Sequence, residues 1–287
     1  MKVTKAIIAT GGFGTRLGVA AISTEKCMAL VDGKPVLQYV VEDCVAAGIE
    51  DITFIVGSMS HQTRTHFGGN PGFEEYLAAK GKTDLLAEAK RVRTMANYTF
   101  VEQRPDHPYG TSVPLWLARA AIPASREKFL YLFGDQLYHH SDGTSEAANL
   151  IERTARAGTH AGMLAMEVPP ETIDRYGIVT TRPLLARDGT PIMDQIIEKP
   201  AVGSVNSNRN NGSFFLLNRD VLSSLEANIM QPPEGSPEHY FTDVMNTYAA
   251  DGNSVAVIEP TGTYLDCGNK DALLIANNFV AAVNAAA

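Results

Sequence analysis

Apolar positions fall in runs and periods that alternate between strand and helix. Lys5 to Thr10 reads Lys-Ala-Ile-Ile-Ala-Thr, a short buried strand, and Gly11, Gly12 and Gly14 follow at once. Residues 36–48 carry apolar side chains at helical spacing and stop at Gly48, where a glycine suits a helix C-terminus. Residues 52–57 form a second strand. Strand, glycine loop, helix and strand in that order argue for an α/β fold with a parallel sheet. The charged stretch 72–96, rich in Ala, Leu, Glu and Lys, predicts a helix, and 98–102 predicts a strand. Leu115 to Ala121 reads as a short helix. Phe129-Leu-Tyr-Leu-Phe133 is the clearest buried strand and runs straight into Gly134-Asp135. Beyond it the pattern predicts a helix over 145–157, strands over 161–168, 177–180, 193–198, 213–217 and 254–258, and a helix over 270–285. No repeat or low-complexity linker interrupts this, so one α/β domain with insertions is expected.

Composition narrows the function classes. Hydrophobic residues make up 45% and charged residues 20%, ordinary for a globular protein able to bury a large core. The net charge of −8 comes without a basic tract, which argues against a nucleic-acid partner. Cys27, Cys44 and Cys267 are odd in number and widely spaced, so neither a disulfide framework nor a zinc motif fits, and a reducing compartment is expected. The apolar run near the start is too short for a signal peptide or a membrane span. A cytoplasmic protein without a membrane partner follows, and the acceptor-like triplets at Asn97 and Asn211 are not expected to carry sugar.

The glycine loop is the first candidate for chemistry. Gly11-Gly12-Phe13-Gly14-Thr15-Arg16 sits directly after a strand, where glycines let the backbone turn and bring N–H groups against phosphate. Two commoner motifs do not fit. A dinucleotide fingerprint needs glycine three residues after Gly14, where Leu17 stands; a P-loop ending in Gly81-Lys82-Thr83 needs glycine where Tyr76 stands. A plain strand-ending turn with an exposed arginine is the alternative reading.

The wider context carries more. GGFGTRL, Lys26 ten residues after Arg16, and DGKPVLQYV resemble the opening of the sugar-phosphate nucleotidyltransferases. VVEDCVAAGIEDI, GSMSHQTRTHF, EQRPDHPYGTS, FGDQLY, YGIV, IIEKP, EHYFTDVM and LDCGNKDAL continue the resemblance in order, and it is strongest to the bacterial UTP–glucose-1-phosphate uridylyltransferases. GSMSHQTRTHF is similar to an insertion typical of that subgroup. The resemblance implies a Rossmann-like, mixed and mostly parallel sheet flanked by helices. The nucleotide would bind within about residues 1–140 and the sugar phosphate within about 141–270, with a C-terminal helix over about 270–285. It implies Mg²⁺ as cofactor, a nucleoside triphosphate and a sugar 1-phosphate as partners, and a homodimer or homotetramer. No β-helix repeats follow the last helix, which argues against an acetyltransferase fusion.

The implied reaction is attack of a sugar phosphate oxygen on the α-phosphorus, with pyrophosphate leaving. Two polyanions must approach, so positioning and charge neutralisation should dominate. Carried over by resemblance, Arg16 and Lys26 grip the triphosphate; Thr10, Gly11, Gly12, Gly14 and Thr15 line it. Asp135 and Asp266, each in an apolar-to-glycine setting, hold Mg²⁺, which favours oxygen ligands. Gln103 and Gly110 read the base, with Thr111 where the uridylyltransferases often carry histidine. Tyr176, Gly177, Glu198, Lys199, Asn211 and Gly212 serve the sugar phosphate, Lys199 also pairing with its charge.

Three departures bear on activity. The family usually has proline just before this lysine and again four residues after it; Glu25 and Leu30 stand there. Loop stiffness is lost, and Glu25 places a negative charge beside the pocket. The polar run Asn206-Ser207-Asn208-Arg209-Asn210 replaces smaller residues near the sugar site. Another base or sugar, or a non-catalytic nucleotide-sugar-binding homologue, therefore stays open. Asp142, Asp220 and Asp243 are expected to be structural, Trp116 to lie in the core, and the neighbouring His139 and His140 to point apart rather than bind a metal together.

Overall fold

Ile7 and Ile8 are both fully buried, which requires a strand paired on both edges and covered on both faces. The computed structural model, which describes residues 2–58, 60–124, 127–231 and 238–286, provides that setting. Along the chain the strands are β1 (Lys5–Ala9), β2 (Leu30–Val31), β3 (Lys34–Pro35), β4 (Asp51–Gly57), β5 (Asn97–Gln103), β6 (Phe129–Phe133), β7 (Gln136–His139), β8 (Ala161–Glu167), β9 (Gly177–Leu185), β10 (Pro191–Glu198), β11 (Arg209–Leu217), β12 (Val255–Ile258) and β13 (Thr263–Asp266). The helices are α1 (Val36–Ala46), α2 (His61–Gly68), α3 (Pro71–Ala79), α4 (Thr83–Thr94), α5 (Val113–Leu117), α6 (Glu146–Ala157), α7 (Val221–Met230), α8 (Phe241–Ala250) and α9 (Lys270–Ala286).

A nine-stranded mixed sheet runs in the order β5-β4-β1-β6-β11-β8-β12-β10-β9. The first four strands are parallel, as are β8 and β12; β11 pairs antiparallel with β6 and β8, and β9 and β10 are antiparallel. Alternate strand residues feed two cores. Ile8, Phe54 and Leu132 pack with α1, α6 and α9, while Ile7, Ile55 and Tyr131 pack with α5, α7 and α8. Each such side chain contributes roughly 1.5–3 kcal/mol on burial. The parallel strands all end toward the glycine loop, so the site forms at their C-terminal edge.

The stretch 72–96 is two helices rather than one. Gly81, at φ 64°, turns the chain between α3 and α4. The helices α7 and α8 and the short pairs β2–β3 and β7–β13 were not evident in the periodicity. Asp142 accepts the Thr144 N–H at 3.0 Å in a turn, and Trp116 packs on the second core with the Arg119 guanidinium 4.3 Å from its ring. His140 reaches Glu146 at 3.0 Å while His139 lies edge-on to Phe279, so the two rings do diverge.

One half-buried cation is a stability liability. The Lys128 ammonium donates to the Thr159 carbonyl at 2.7 Å, and burial lowers its pKa from 10.5 to about 8. Below pH 8 the lysine is charged folded or unfolded and the fold bears the full desolvation cost. The cost fades as pH rises from 8 to 10.5. Lys128→Met should therefore raise the unfolding midpoint at pH 7, by roughly 2–4 °C for about 1 kcal/mol after discounting for partial exposure. The gain should vanish above pH 10.5, as paired thermal melts will show.

Candidate active site

Where β1 ends, the chain is pinned before it turns. The Thr10 amide and hydroxyl both donate to the Ile55 carbonyl, at 3.0 and 2.8 Å. Gly12 (φ 111°) and Gly14 (φ 61°) then adopt left-handed backbone. A Cβ at Gly14 would press on Lys26 Cβ at 3.1 Å, so the glycine turn and Lys26 are in contact. Thr15 and Arg16 follow, exposed, while Leu17 is buried and anchors the segment.

Asp135 and Asp266 meet in the same cleft. Gly134 N donates to the Ala9 carbonyl at 2.9 Å, and a Cβ there would lie 2.9 Å from Leu37 Cδ1, so the turn that delivers Asp135 packs closely on α1. The pair β7–β13 sets Asp266 opposite Gln136, and Cys267 N donates to the Asp135 carbonyl at 3.1 Å. The Lys26 ammonium donates to Asp135 Oδ2. A Cβ at Gly268 would fall 2.9 Å from Asp266 Oδ1 and 3.1 Å from Lys26 Nζ, which locates all three charges around one point. Among the described residues no group of three or more His, Cys, Asp or Glu gathers that could hold a metal. Two carboxylates suit a hard cation that takes its other ligands from water and substrate phosphate, not a closed protein cage.

Gln103 ends β5 with its Oε1 3.2 Å from the Cβ position of Gly11. Gly110, at φ 137°, lies against the backbone of His239, whose N–H donates to the Tyr109 carbonyl at 2.8 Å. β9 and β10 put Gly177 opposite Glu198, and a Cβ at Gly177 would be 3.1 Å from Glu198 Oε2. Lys199 N donates to the Tyr176 carbonyl at 2.9 Å, and its ammonium lies 3.9 Å from Glu198 Oε1. Burial raises the Glu198 carboxyl above its ordinary range, Lys199 opposing and Glu238 and Asp243 adding. Gly212 lies under Tyr138 of β7, whose hydroxyl donates to its carbonyl at 2.8 Å; Asn211 Oδ1 accepts from Ser213 N at 3.1 Å. Burial and the nearby Asp266 both raise the Tyr176 phenol.

Residues 5–283 match the nucleotidyl transferase family. The chain belongs to that family. A UTP–glucose-1-phosphate uridylyltransferase of Bacillus subtilis (strain 168) is 34% identical over 208 residues, 72% of this chain and 68% of that one. The Mycoplasma pneumoniae protein of the same name is 29% identical over 282 residues, 98% and 93% of the two chains. Among solved structures, a UTP-bound UGPase from Acinetobacter baumannii superposes with a TM-score of 0.83 at 28% identity, over 97% of this chain and 93% of that one.

Against this nucleotidyl transferase background the departures take on physical meaning. The Glu25 carboxylate turns toward α2, where it accepts the backbone N–H groups of Gln62 and Thr63 and the Thr63 hydroxyl. Leu30 is exposed on β2, opposite Pro35. The Thr111 hydroxyl accepts Phe241 N at 2.8 Å, and Thr10 is tied to Ile55, so both hydroxyls serve the loops that carry them. In the polar run, Ser207 and Asn208 donate to the carbonyls of Val179 and Val168, which closes a sheet edge.

Tyr264 was not singled out by sequence. It shares a face of β13 with Asp266, and its buried hydroxyl finds no hydrogen-bond partner among the described residues. Burial holds that phenol well above its ordinary pKa, with the Asp266 and Asp135 carboxylates adding negative neighbours. Its apolar-to-aspartate setting was the available signal. Among the described residues no helix is long and apolar enough to cross a membrane.

Proposed function

We propose that this chain joins UTP to glucose 1-phosphate, releasing pyrophosphate and UDP-glucose, with Mg²⁺ held by Asp135 and Asp266. The observation that carries the reading is the meeting of Lys26, Asp135 and Asp266 beside Gly14. Proteins named UTP–glucose-1-phosphate uridylyltransferase are relatives over most of the chain, which supports the choice of substrates.

The triphosphate lies along the glycine turn, its oxygens met by backbone N–H groups and by Arg16 and Lys26. Gln103 offers an amide donor and acceptor to the base edge, and Gly110 lets the base loop approach. Glu198 accepts from sugar hydroxyls and Lys199 pairs with the sugar phosphate. A phosphate oxygen of glucose 1-phosphate forms the new bond to the α-phosphorus as the bond to the β-phosphate oxygen breaks. When bound, the divalent ion offsets negative charge on both phosphates. Lys26 supplies a positive charge in the same cleft, and no side chain becomes covalently attached. The three free, buried cysteines suit the reducing cytoplasm.

Thr111, in place of a frequent histidine, favours one second reading, the same chemistry with dTTP or CTP. A coupled pyrophosphate-release assay with UTP, dTTP, CTP, ATP and GTP against several sugar 1-phosphates decides. UTP with glucose 1-phosphate should lead in kcat/KM by about a hundredfold or more. Another leading pair would reassign the substrates. Nucleotide binding without release from any pair would leave a non-catalytic binding protein.

A further inference from the structure

Lys26 sits on a loop that lacks the prolines expected around it, yet its side chain is delivered to Asp135. The structure offers a different restraint. Five hydrogen bonds tie residues 23–25 to the first turn of α2. Glu25 N donates to Gln62 Oε1 at 2.8 Å, and Gln62 Nε2 donates to the Ser23 carbonyl at 3.2 Å. In return Gln62 N donates to Glu25 Oε1, while Thr63 N and the Thr63 hydroxyl donate to Glu25 Oε2 at 3.2 and 2.6 Å.

The chemistry favours this contact from both sides. The first N–H groups of a helix have no partner within it, and its N-terminus favours negative charge. The residue preceding α2, Ser60, makes no side-chain cap; its hydroxyl instead accepts Gly57 N at 3.1 Å. Glu25, distant in sequence, fills that role. On the other side of Lys26, Cys27 is fully buried, its thiol 3.8 Å from the Thr10 carbonyl and 3.7 Å from the Thr63 hydroxyl. The Glu25 carbonyl also accepts Met28 N at 2.8 Å, closing the tight turn that presents Lys26. Lys26 is thus held between two anchors, one on α2 and one on the end of β1.

We propose that Glu25 is a positioning residue: as a cap on α2 it fixes the Lys26 loop, and so the ammonium, in the triphosphate cleft. This rests on the reading of Lys26 given under the proposed function. It inverts what the bare sequence suggests, since a carboxylate next to a phosphate-binding lysine would be expected to weaken binding.

The test is a double-mutant cycle on the full chain, with steady-state pyrophosphate release from UTP and glucose 1-phosphate and thermal unfolding for each variant. Glu25→Ala should lower kcat/KM for UTP by about tenfold, and Glu25→Gln, which keeps one acceptor oxygen, by less. In the Lys26→Ala background, neither change at Glu25 should cost activity further, because the residue it positions is gone. Equal losses in both backgrounds would overturn the proposal while leaving Lys26 in its role. A lower KM for UTP in both Glu25 variants would also overturn it, in favour of simple repulsion. Near-normal activity of Lys26→Ala would instead remove the reading of Lys26 and this proposal with it. If Glu25→Ala does not fold, Glu25→Gln and Thr63→Val, which deletes one donor to the carboxylate, complete the same cycle.

Discussion

Asp135→Asn should reduce kcat for pyrophosphate release by about a thousandfold, with the protein still folded, because it removes one full charge where two polyanions must meet. The amide is nearly the size of the carboxylate, and the neighbouring backbone contact does not depend on it: Cys267 N donates to the main-chain carbonyl of Asp135, not to its side chain. The amide oxygen can still accept from the Lys26 ammonium, so the unfolding midpoint should stay within a few degrees of the parent, falling rather than rising as the ion pair is lost. Two further readouts separate a metal role from a structural one. The concentration of Mg²⁺ giving half-maximal activity should increase, and the KM for glucose 1-phosphate should move less than kcat. Asp266→Asn should behave alike, and the double variant should lose less than the product of the two, because both act on one ion. Activity within a factor of about ten of the parent, at ordinary Mg²⁺, would refute the assignment of Asp135.

How much of this cleft could be read from the chain depends on how local the signal is. The strand Phe129–Phe133 is apolar at every position and ends in Gly134-Asp135, so its burial and its outlet were both visible. The helix Val36–Ala46 and its glycine stop were visible for the same reason. Asp266 is different. It reaches Asp135 only because β13 pairs antiparallel with β7, two strands of four residues each, far apart in sequence. No periodicity of that length announces a strand, so the meeting of the two aspartates was implied by resemblance alone. The break between α3 and α4 was hidden by good helix-forming residues on both sides of Gly81. The part played by Glu25 was the least legible. Its partners begin 37 residues later, and a charge beside a lysine carries no mark of which way it will turn. The segment Glu238–Phe241 was likewise recognisable as a motif but not as the clamp on the base loop.

That clamp makes Gly110→Ala the second large effect. A Cβ at Gly110 would lie 2.2 Å from the His239 carbonyl oxygen and 2.3 Å from its nitrogen, well inside contact distance, at a φ of 137° that side chains rarely adopt. Backbone cannot rotate out of the way as a side chain can, so either the base loop or the His239 segment must move. Three tethers then break together: His239 N to the Tyr109 carbonyl, Ser112 N to the His239 carbonyl, and Phe241 N to the Thr111 hydroxyl. The expected cost is about 2–4 kcal/mol of stability. If Gly110 and Gln103 flank the base as proposed, KM for UTP should also rise by about tenfold or more, with KM for glucose 1-phosphate much less affected. Gly252→Ala is the matched comparison, with φ 91° but open space around it. It should cost only about 1 kcal/mol and leave both KM values unchanged. If Gly110→Ala gave the same small loss with an unaltered KM for UTP, the base loop would have to lie elsewhere. The selectivity seen in a panel of triphosphates could then no longer be traced to the contact between residues 109–112 and 238–241.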